Sequence, residues 1–304
     1  MQNNNKYHSP FQHLINPGHT ACSGCGLIVA MINILDALGP NTIVTNATGC
    51  SEVTTSKYPQ TAFKVPWIHS VFENPVALGS GIEAVLRKRG KSGEINVMAW
   101  GGDGAMFDIG MGLISASWER NENIMTVCID NEAYMNTGIQ ASGATPIDAY
   151  TMTTPSGKKS CGNKLFKKDM IKIALAHDVP YVATATIGDL VDLQNKVKKA
   201  SKVTGPKYLQ VLTTCVPGWN TDPKDSIKLA RLAQQTGIYP VLEYENGKLA
   251  NVKKVTKDRP KVEEYLKPQG RFRHLFSKSG KCKSGVQAIQ KKADGNVEEF
   301  GLLK

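Results

Sequence analysis

The stretch "GGDGAMFDIG", residues 101–110, gathers the most chemistry in the fewest residues. Gly102 and Gly104 let the backbone turn tightly and approach a ligand, and N–H groups opening a following helix receive phosphate oxygens. Asp103, between them, turns a hard carboxylate oxygen toward the same spot. This combination suits a magnesium diphosphate, because Mg2+ takes oxygen ligands and bridges phosphate to one or two protein groups. Alone, the tripeptide also reads as a glycine turn with Asp as a cap. A second element comes in "CIDNEAYMNTG", residues 128–138, where Asn131 lies 28 positions after Asp103 (131 − 103). That distance is one helix plus one strand, so adjacent parallel strands bring both side chains to one carboxyl edge. The Asn131 amide oxygen and a nearby backbone carbonyl then complete a magnesium shell.

Cysteines form the other constellation. "HTACSGCG", residues 19–26, spaces Cys22 and Cys25 as C-x-x-C, which serves redox disulfides, zinc sites and iron–sulfur clusters alike. Cys50 closes "TNATGC" and Cys215 closes "LQVLTTC", each at the end of a strand pattern, so both belong on the same sheet edge as the C-x-x-C turn. Four thiolates suit either zinc or an iron–sulfur cluster, and spacing does not separate the two. Cys128, inside an apolar strand, reads as a core thiol, while Cys161 and Cys282, in basic loops, receive no role.

These residues need a scaffold, and the pattern supplies one. Strand-like "TIVTNATG", "INVMAWGGDG", "IMTVCIDNE", "YVATATI" and "KYLQVLTTC" alternate with helical "NPVALGSGIEAVLRKRG", "FDIGMGLISASWERNE", "KKDMIKIALAHD" and "GDLVDLQNKVKKASK". Such alternation predicts an α/β fold with a mostly parallel, doubly wound sheet covered on both faces. We expect residues 1–220 to form this domain. After Pro217 the pattern weakens into one helix, "DSIKLARLAQQTG", so 221–304 reads as a helix and an irregular, basic C-terminal extension contacting partner subunits.

Composition narrows the function classes. The 304 residues, 41% hydrophobic, suffice for a sizeable core. No apolar run approaches the roughly 20 residues that span a bilayer, and "MQNNNKYHSPFQ" lacks a signal-peptide pattern, so a cytoplasmic protein without membrane insertion is expected. Seven cysteines, an odd number, and a reducing compartment favour metal or thiol chemistry over bridges. The net charge of +11 is concentrated in loop-like and tail-like stretches such as "SGKKSCGNKLFKK" and "SKSGKCKSG" without an aromatic nucleic-acid signature. Solvated surface or subunit contact is expected, not a nucleic-acid groove.

Together, the Gly-Asp-Gly turn and the later Asn match the thiamine diphosphate motif. With "VPWIHSVFENP", "DNEAYMNTGIQASGATP" and "GRFRH", they resemble the β subunit of pyruvate:ferredoxin oxidoreductases over almost the whole chain. The resemblance implies that Asp103, Asn131 and the Ala133 carbonyl hold magnesium, and that Gly102, Gly104 and Ala105 line the diphosphate. It makes Asn136 the catalytic residue that orients the 2-oxo acid. It makes Cys22, Cys25, Cys50 and Cys215 ligands of a [4Fe-4S] cluster, with Cys50 also beside the thiamine cofactor. It further implies an α subunit carrying the pyrimidine half-site and activating glutamate, γ and/or δ subunits, coenzyme A as co-substrate and ferredoxin as acceptor. The implied reaction is oxidative decarboxylation of pyruvate; the related alternative is oxalate or another 2-oxo acid, and the distant one a zinc-stabilised basic binding module. Some relatives carry a carboxylate right after C-x-x-C-G where this chain has Leu27. His19 and His69 lie near these motifs and are assigned no role.

Overall fold

The structure, a computed structural model, describes residues 13–57, 59–278, 280 and 282–304. Eight strands form one sheet: β1 (Thr42–Asn46), β2 (Trp67–His69), β3 (Asn96–Gly102), β4 (Ile124–Asp130), β5 (Tyr181–Thr186), β6 (Lys207–Leu212), β7 (Leu242–Glu245) and β8 (Lys248–Val252). Their order is β2-β1-β3-β4-β6-β5-β7-β8, with the first six parallel and the last two antiparallel. The helices are α1 (Gly26–Leu38), α2 (Cys50–Val53), α3 (Pro75–Lys88), α4 (Met111–Glu119), α5 (Met170–Ala176), α6 (Leu190–Ala200), α7 (Val216–Trp219), α8 (Ser226–Gln235), α9 (Val262–Leu266) and α10 (Lys283–Glu299).

Side-chain alternation along the strands feeds two cores. Met98, Val127 and Ile129 pack on one face against Met31, Ile34 and Leu35 of α1 and Leu193 and Val197 of α6. Val97, Ala99 and Cys128 point the other way, onto Ile114 and Trp118 of α4 and Met170 and Ala174 of α5. All seven residues of β4 are buried, as a central strand covered twice must be. Each large apolar side chain fully buried here contributes about 1.5–3 kcal/mol. Local signals set the helix ends: Pro75 opens α3, Asp169 and Asp189 cap α5 and α6 with their carboxylates, and Gly39 at φ 83° stops α1. Among the described residues no helix is long and apolar enough to cross a membrane.

The chain beyond 220 is more ordered than its pattern suggested. It returns to the sheet as the β7–β8 hairpin, whose two-residue turn is Asn246 (φ 49°) and Gly247 (φ 76°). Asn-Gly suits such a turn because both positions need positive φ. Helices α8, α9 and α10 then build a further core around Trp219, Leu229, Tyr265, Phe272 and Ile289. Cys161 and Cys282, given no role from sequence, are joined in a disulfide with Cα atoms 5.8 Å apart and 121 positions between them in the chain.

One buried cation gives a stability test. Lys207, at the start of β6, is 4% exposed, and its ammonium donates to Asn123 Oδ1. Burial pushes its pKa down to about 8, against the pull of the Glu83 carboxylate. A depressed lysine costs stability while the folded state must carry the charge, below about pH 8, and the cost fades as pH rises toward the ordinary value near 10.5. Lys207→Met should therefore raise stability at pH 7, by on the order of 1–3 kcal/mol, and lose that advantage by pH 10.5. Thermal melts of both proteins across this range check it, and a pH-independent difference would contradict it.

Candidate active site

Strands β1, β3, β4 and β6 end side by side, and the segments leaving them meet at one carboxyl edge. Asp103 follows directly on β3 and is fully buried. It accepts from the Asn131 backbone N–H at 3.1 Å and from the Ser142 hydroxyl. The Asn131 side chain presents its amide oxygen to two further acceptors, Asp103 Oδ1 and the Ala133 carbonyl, each 2.9 Å away; turned over, the amide would donate to both. With its oxygen turned inward, the Asn131 amide joins the Asp103 carboxylate and the Ala133 carbonyl in a donor set suited to a hard cation. In an octahedral magnesium shell, ligand distances of about 2.1 Å place neighbouring oxygens about 3.0 Å apart, so this arrangement fits the metal.

Charge accounting points the same way. Beside Asp103, the Lys167 ammonium bridges Asp130 Oδ2 at 2.7 Å and Glu132 Oε1 at 2.8 Å, and Arg271 meets Glu132 Oε2 at 2.6 Å. Two carboxylates thus match two cations. Asp103 has no ion-pair partner among the described residues, so its charge is the unmatched one. Burial, reinforced by the Asp130 charge, pushes the Asp103 carboxyl up to about 8. Glu132, by contrast, is held below the ordinary carboxylate value: burial would raise it, but Lys167 and Arg271 outweigh that effect.

The turn carrying Asn131 and Ala133 is strained and braced. Glu132 sits at φ 72°, a left-handed conformation uncommon for a residue with a Cβ. Its N–H donates to Asp130 Oδ1 at 3.2 Å, and its carbonyl accepts from Thr145 Oγ1 at 2.8 Å. The buried Trp219 indole donates to the Asn131 carbonyl at 2.9 Å.

After Asp103 the chain enters a π-helical turn, Gly104–Ile109, before α4. Such turns are rare and recur at functional sites. Gly104 is forced: a Cβ there would lie 2.3 Å from the Tyr134 ring, whose hydroxyl donates to the Gly104 carbonyl at 3.2 Å. At Gly102 a Cβ would meet nothing within 4 Å, so space above that backbone is open. Ala105 is buried at the start of the turn. A small cavity of about 30 Å3 lies here, with Thr48, Cys50, Gly102, Gly104, Tyr134 and Asn136 in its wall. Leu27 also lines it, an apolar side chain on the site. Asn136 is exposed, and its Oδ1 lies 3.9 Å from Cys50 Sγ.

The four thiols named from sequence belong to neighbouring segments. Cys25 precedes α1 and donates its N–H to the Cys22 carbonyl at 3.0 Å, while Gly26 N–H donates to the Thr214 carbonyl at 3.0 Å, tying the C-x-x-C turn to Cys215. A Cβ on Gly26 would lie 2.6 Å from Thr214 N, so only glycine permits this approach. Cys50 opens α2 and Cys215 precedes α7. Burial raises the pKa of Cys25, Cys50 (to about 11) and Cys215 (to about 12), and the charges of neighbouring thiolates add to the rise at each. Among the described residues, no three His, Cys, Asp or Glu side chains converge tightly enough for a single ion.

Cys128 is a fully buried core residue. His69 Nε2 pairs with Thr48 Oγ1 at 2.9 Å on an exposed rim, and His19 Nδ1 accepts from Ala21 N–H at 3.4 Å. Sequence reasoning missed Ser142, which bonds Asp103, and Lys167, Trp219 and Arg271, which hold the turn after β4. Ser142, Lys167 and Arg271 lay in stretches already singled out, but nothing in those stretches marked their roles, and Trp219 lay outside them all.

Residues 47–211 match the family model described as the C-terminal TPP-binding domain of thiamine pyrophosphate enzymes. Pyruvate synthase subunit PorB of Methanosarcina barkeri is 47% identical over 95% of this chain and 97% of its own. PorB of Pyrococcus furiosus is 46% identical over 86% of this chain and 87% of its own. Ketoisovalerate oxidoreductase subunit VorB of the same organism is 40% identical over 97% of this chain and 94% of its own. A solved 2-oxoglutarate:ferredoxin oxidoreductase from Magnetococcus marinus superposes with a TM-score of 0.58 at 21% identity, over 74% of this chain and 81% of that one, a likeness of fold. With the oxygen cage at Asp103 and the matched domain in one place, the chain belongs to the family of thiamine pyrophosphate-binding oxidoreductase subunits represented by pyruvate synthase PorB.

Proposed function

We propose that this chain is the diphosphate-binding subunit of a 2-oxo acid:ferredoxin oxidoreductase, acting on pyruvate with coenzyme A. The observation that carries the reading is the convergence of the Asn131 side chain, 2.9 Å from both Asp103 Oδ1 and the Ala133 carbonyl, at a cavity shared with Asn136 and Cys50. Asp103, the Asn131 amide and the Ala133 carbonyl would hold magnesium, with Gly102, Gly104 and Ala105 along the diphosphate. Thiamine diphosphate supplies the electron sink for loss of CO2 from a 2-oxo acid, and a [4Fe-4S] cluster supplies one-electron transfer. Asn136, exposed at the mouth, would orient the substrate. Cys50, 3.9 Å from Asn136, would bring the thiol set against the substrate side of the cofactor. Three of the four thiols, Cys25, Cys50 and Cys215, stand at helix starts, where backbone N–H groups favour bound anionic groups.

The reading extends to partners. An α subunit would contribute the pyrimidine half-site and its glutamate, γ and/or δ subunits would complete the assembly, and ferredoxin would take the electrons. We assign 1–220 as the cofactor domain in a cytoplasmic enzyme, and 221–304, rich in lysine, to contacts with those subunits. A second reading, a branched 2-oxo acid as substrate, is supported by the 40% identical ketoisovalerate relative. Comparing kcat/KM of the assembled enzyme for pyruvate and for 2-oxoisovalerate separates the two; a preference for the branched acid would overturn the first.

Iron, acid-labile sulfide and zinc analysis of anaerobically purified protein tests the thiol assignment. About four irons and four sulfides per chain, with an EPR signal after dithionite, are expected, whereas stoichiometric zinc without iron would remove the electron path. The metal turn has its own test. In metal-free protein the Asp103 carboxyl, raised to about 8, favours the folded state fully below the ordinary value of 3.8. That stability is lost progressively as pH rises from there through about 8. Melts of metal-free protein should fall across this window, and Asp103→Asn should flatten the fall and abolish Mg2+-dependent cofactor binding. An unchanged pH profile in the variant would contradict the assignment.

A further inference from the structure

The turn that faces the metal position is held from far along the chain. Trp219 reaches the Asn131 carbonyl across 88 positions, and Arg271 reaches Glu132 across 139. Neither side chain acts alone. The Arg271 guanidinium lies 4.0 Å from the centroid of the Trp219 ring, and both residues are buried, at 3% and 0% exposure. Arg271 is itself fixed by Gln269 Oε1 at 2.9 Å, and Trp219 by an edge contact with Tyr265. The stack therefore forms a rigid plate against which Asn131 and Glu132 are pinned, one by its carbonyl and the other by its carboxylate.

We propose that Arg271 and Trp219 are a positioning pair for the metal-binding turn, a role that rests on the reading of Asp103, Asn131 and Ala133 as divalent-cation ligands. The physical reason is the left-handed backbone at Glu132. A free chain avoids φ 72° at a glutamate, and the relaxed alternative would swing the Asn131 amide and the Ala133 carbonyl away from Asp103. Arg271 Nη2 holds Glu132 Oε2 at 2.6 Å while its Nε is anchored on Gln269, and the indole N–H keeps the Asn131 carbonyl turned away from the metal side. Lys167 cannot replace the arginine, because its ammonium is already shared between Asp130 and Glu132. Lysine at 271 would keep the charge and lose both the planar stack on Trp219 and the Nε anchor on Gln269.

The test uses Mn2+ as the probe on the assembled enzyme, stripped of divalent metal and held with saturating thiamine diphosphate, with free Mn2+ followed by EPR. Trp219→Phe keeps the ring and loses the N–H donor; Arg271→Lys keeps the charge. Each should weaken Mn2+ binding by about 10–100-fold, the usual effect of losing a partner that orients a ligand. Glu132→Gln added to Arg271→Lys should cost little more, because the two residues act as a unit. A purely structural role would lower the melting temperature of metal-free enzyme and leave the Mn2+ affinity at the parent value, which overturns the proposal. Should Arg271→Lys fail to assemble, Trp219→Phe decides the matter by the same affinity. Failure of the parent enzyme to bind Mn2+ would instead sink the cation-site reading beneath the proposal.

Discussion

The site depends on a buried ionic cluster in which Lys167 and Arg271 neutralise Asp130 and Glu132. Removing such charges from water costs several kcal/mol per ion, and only close, multiply hydrogen-bonded geometry offsets it. Here the offset is assembled from both sides. Gln210 donates to Asp130 at 2.8 Å, Thr145 donates to the Glu132 carbonyl, and Arg271 is stacked as well as paired. What the cluster secures is direction more than stability. With Glu132 clamped in a left-handed turn, the groups before and after it face Asp103, whose charge the protein leaves unmatched.

The sheet explains why these groups can meet at all. Parallel strands covered by helices on both faces end in unpaired backbone and short polar segments only at their edges, and the carboxyl edge is where consecutive chain segments converge. Cys50, Asp103, Asn131 and Cys215 each come within a few residues of the ends of β1, β3, β4 and β6, four adjacent strands. The oxygen cage and the thiols are therefore neighbours because of topology, and no single loop has to carry both.

That same topology decides what could be read in advance. Asp103 and Asn131 were legible as a pair because the interval between them equals one helix and one strand, a local regularity. The edge position of Cys50 and Cys215 was legible from their place after strand patterns. Lys167 was not: it lies in "KLFKK", where its neighbour Lys168 is bound to Asp108, and nothing in the spacing marks which lysine turns inward. Arg271 and Trp219 escaped for the same reason, since their partners are dozens of positions away and no periodicity encodes them. The Cys161–Cys282 bridge is similarly non-local. The β7–β8 hairpin is a different case, because "ENGK" carried an Asn-Gly turn signal that the weak surrounding pattern obscured.

The distance of Arg271 from the rest of the site also governs the order in which the site comes into being. Strands β1, β3 and β4 are synthesised first, and they already hold Cys50, Asp103 and Asn131. Trp219 and Arg271, which hold Asn131 and Glu132, come later in the chain than all three of these strands. A ribosome-bound chain thus makes the central strands before the two residues that brace the turn after β4 have been synthesised.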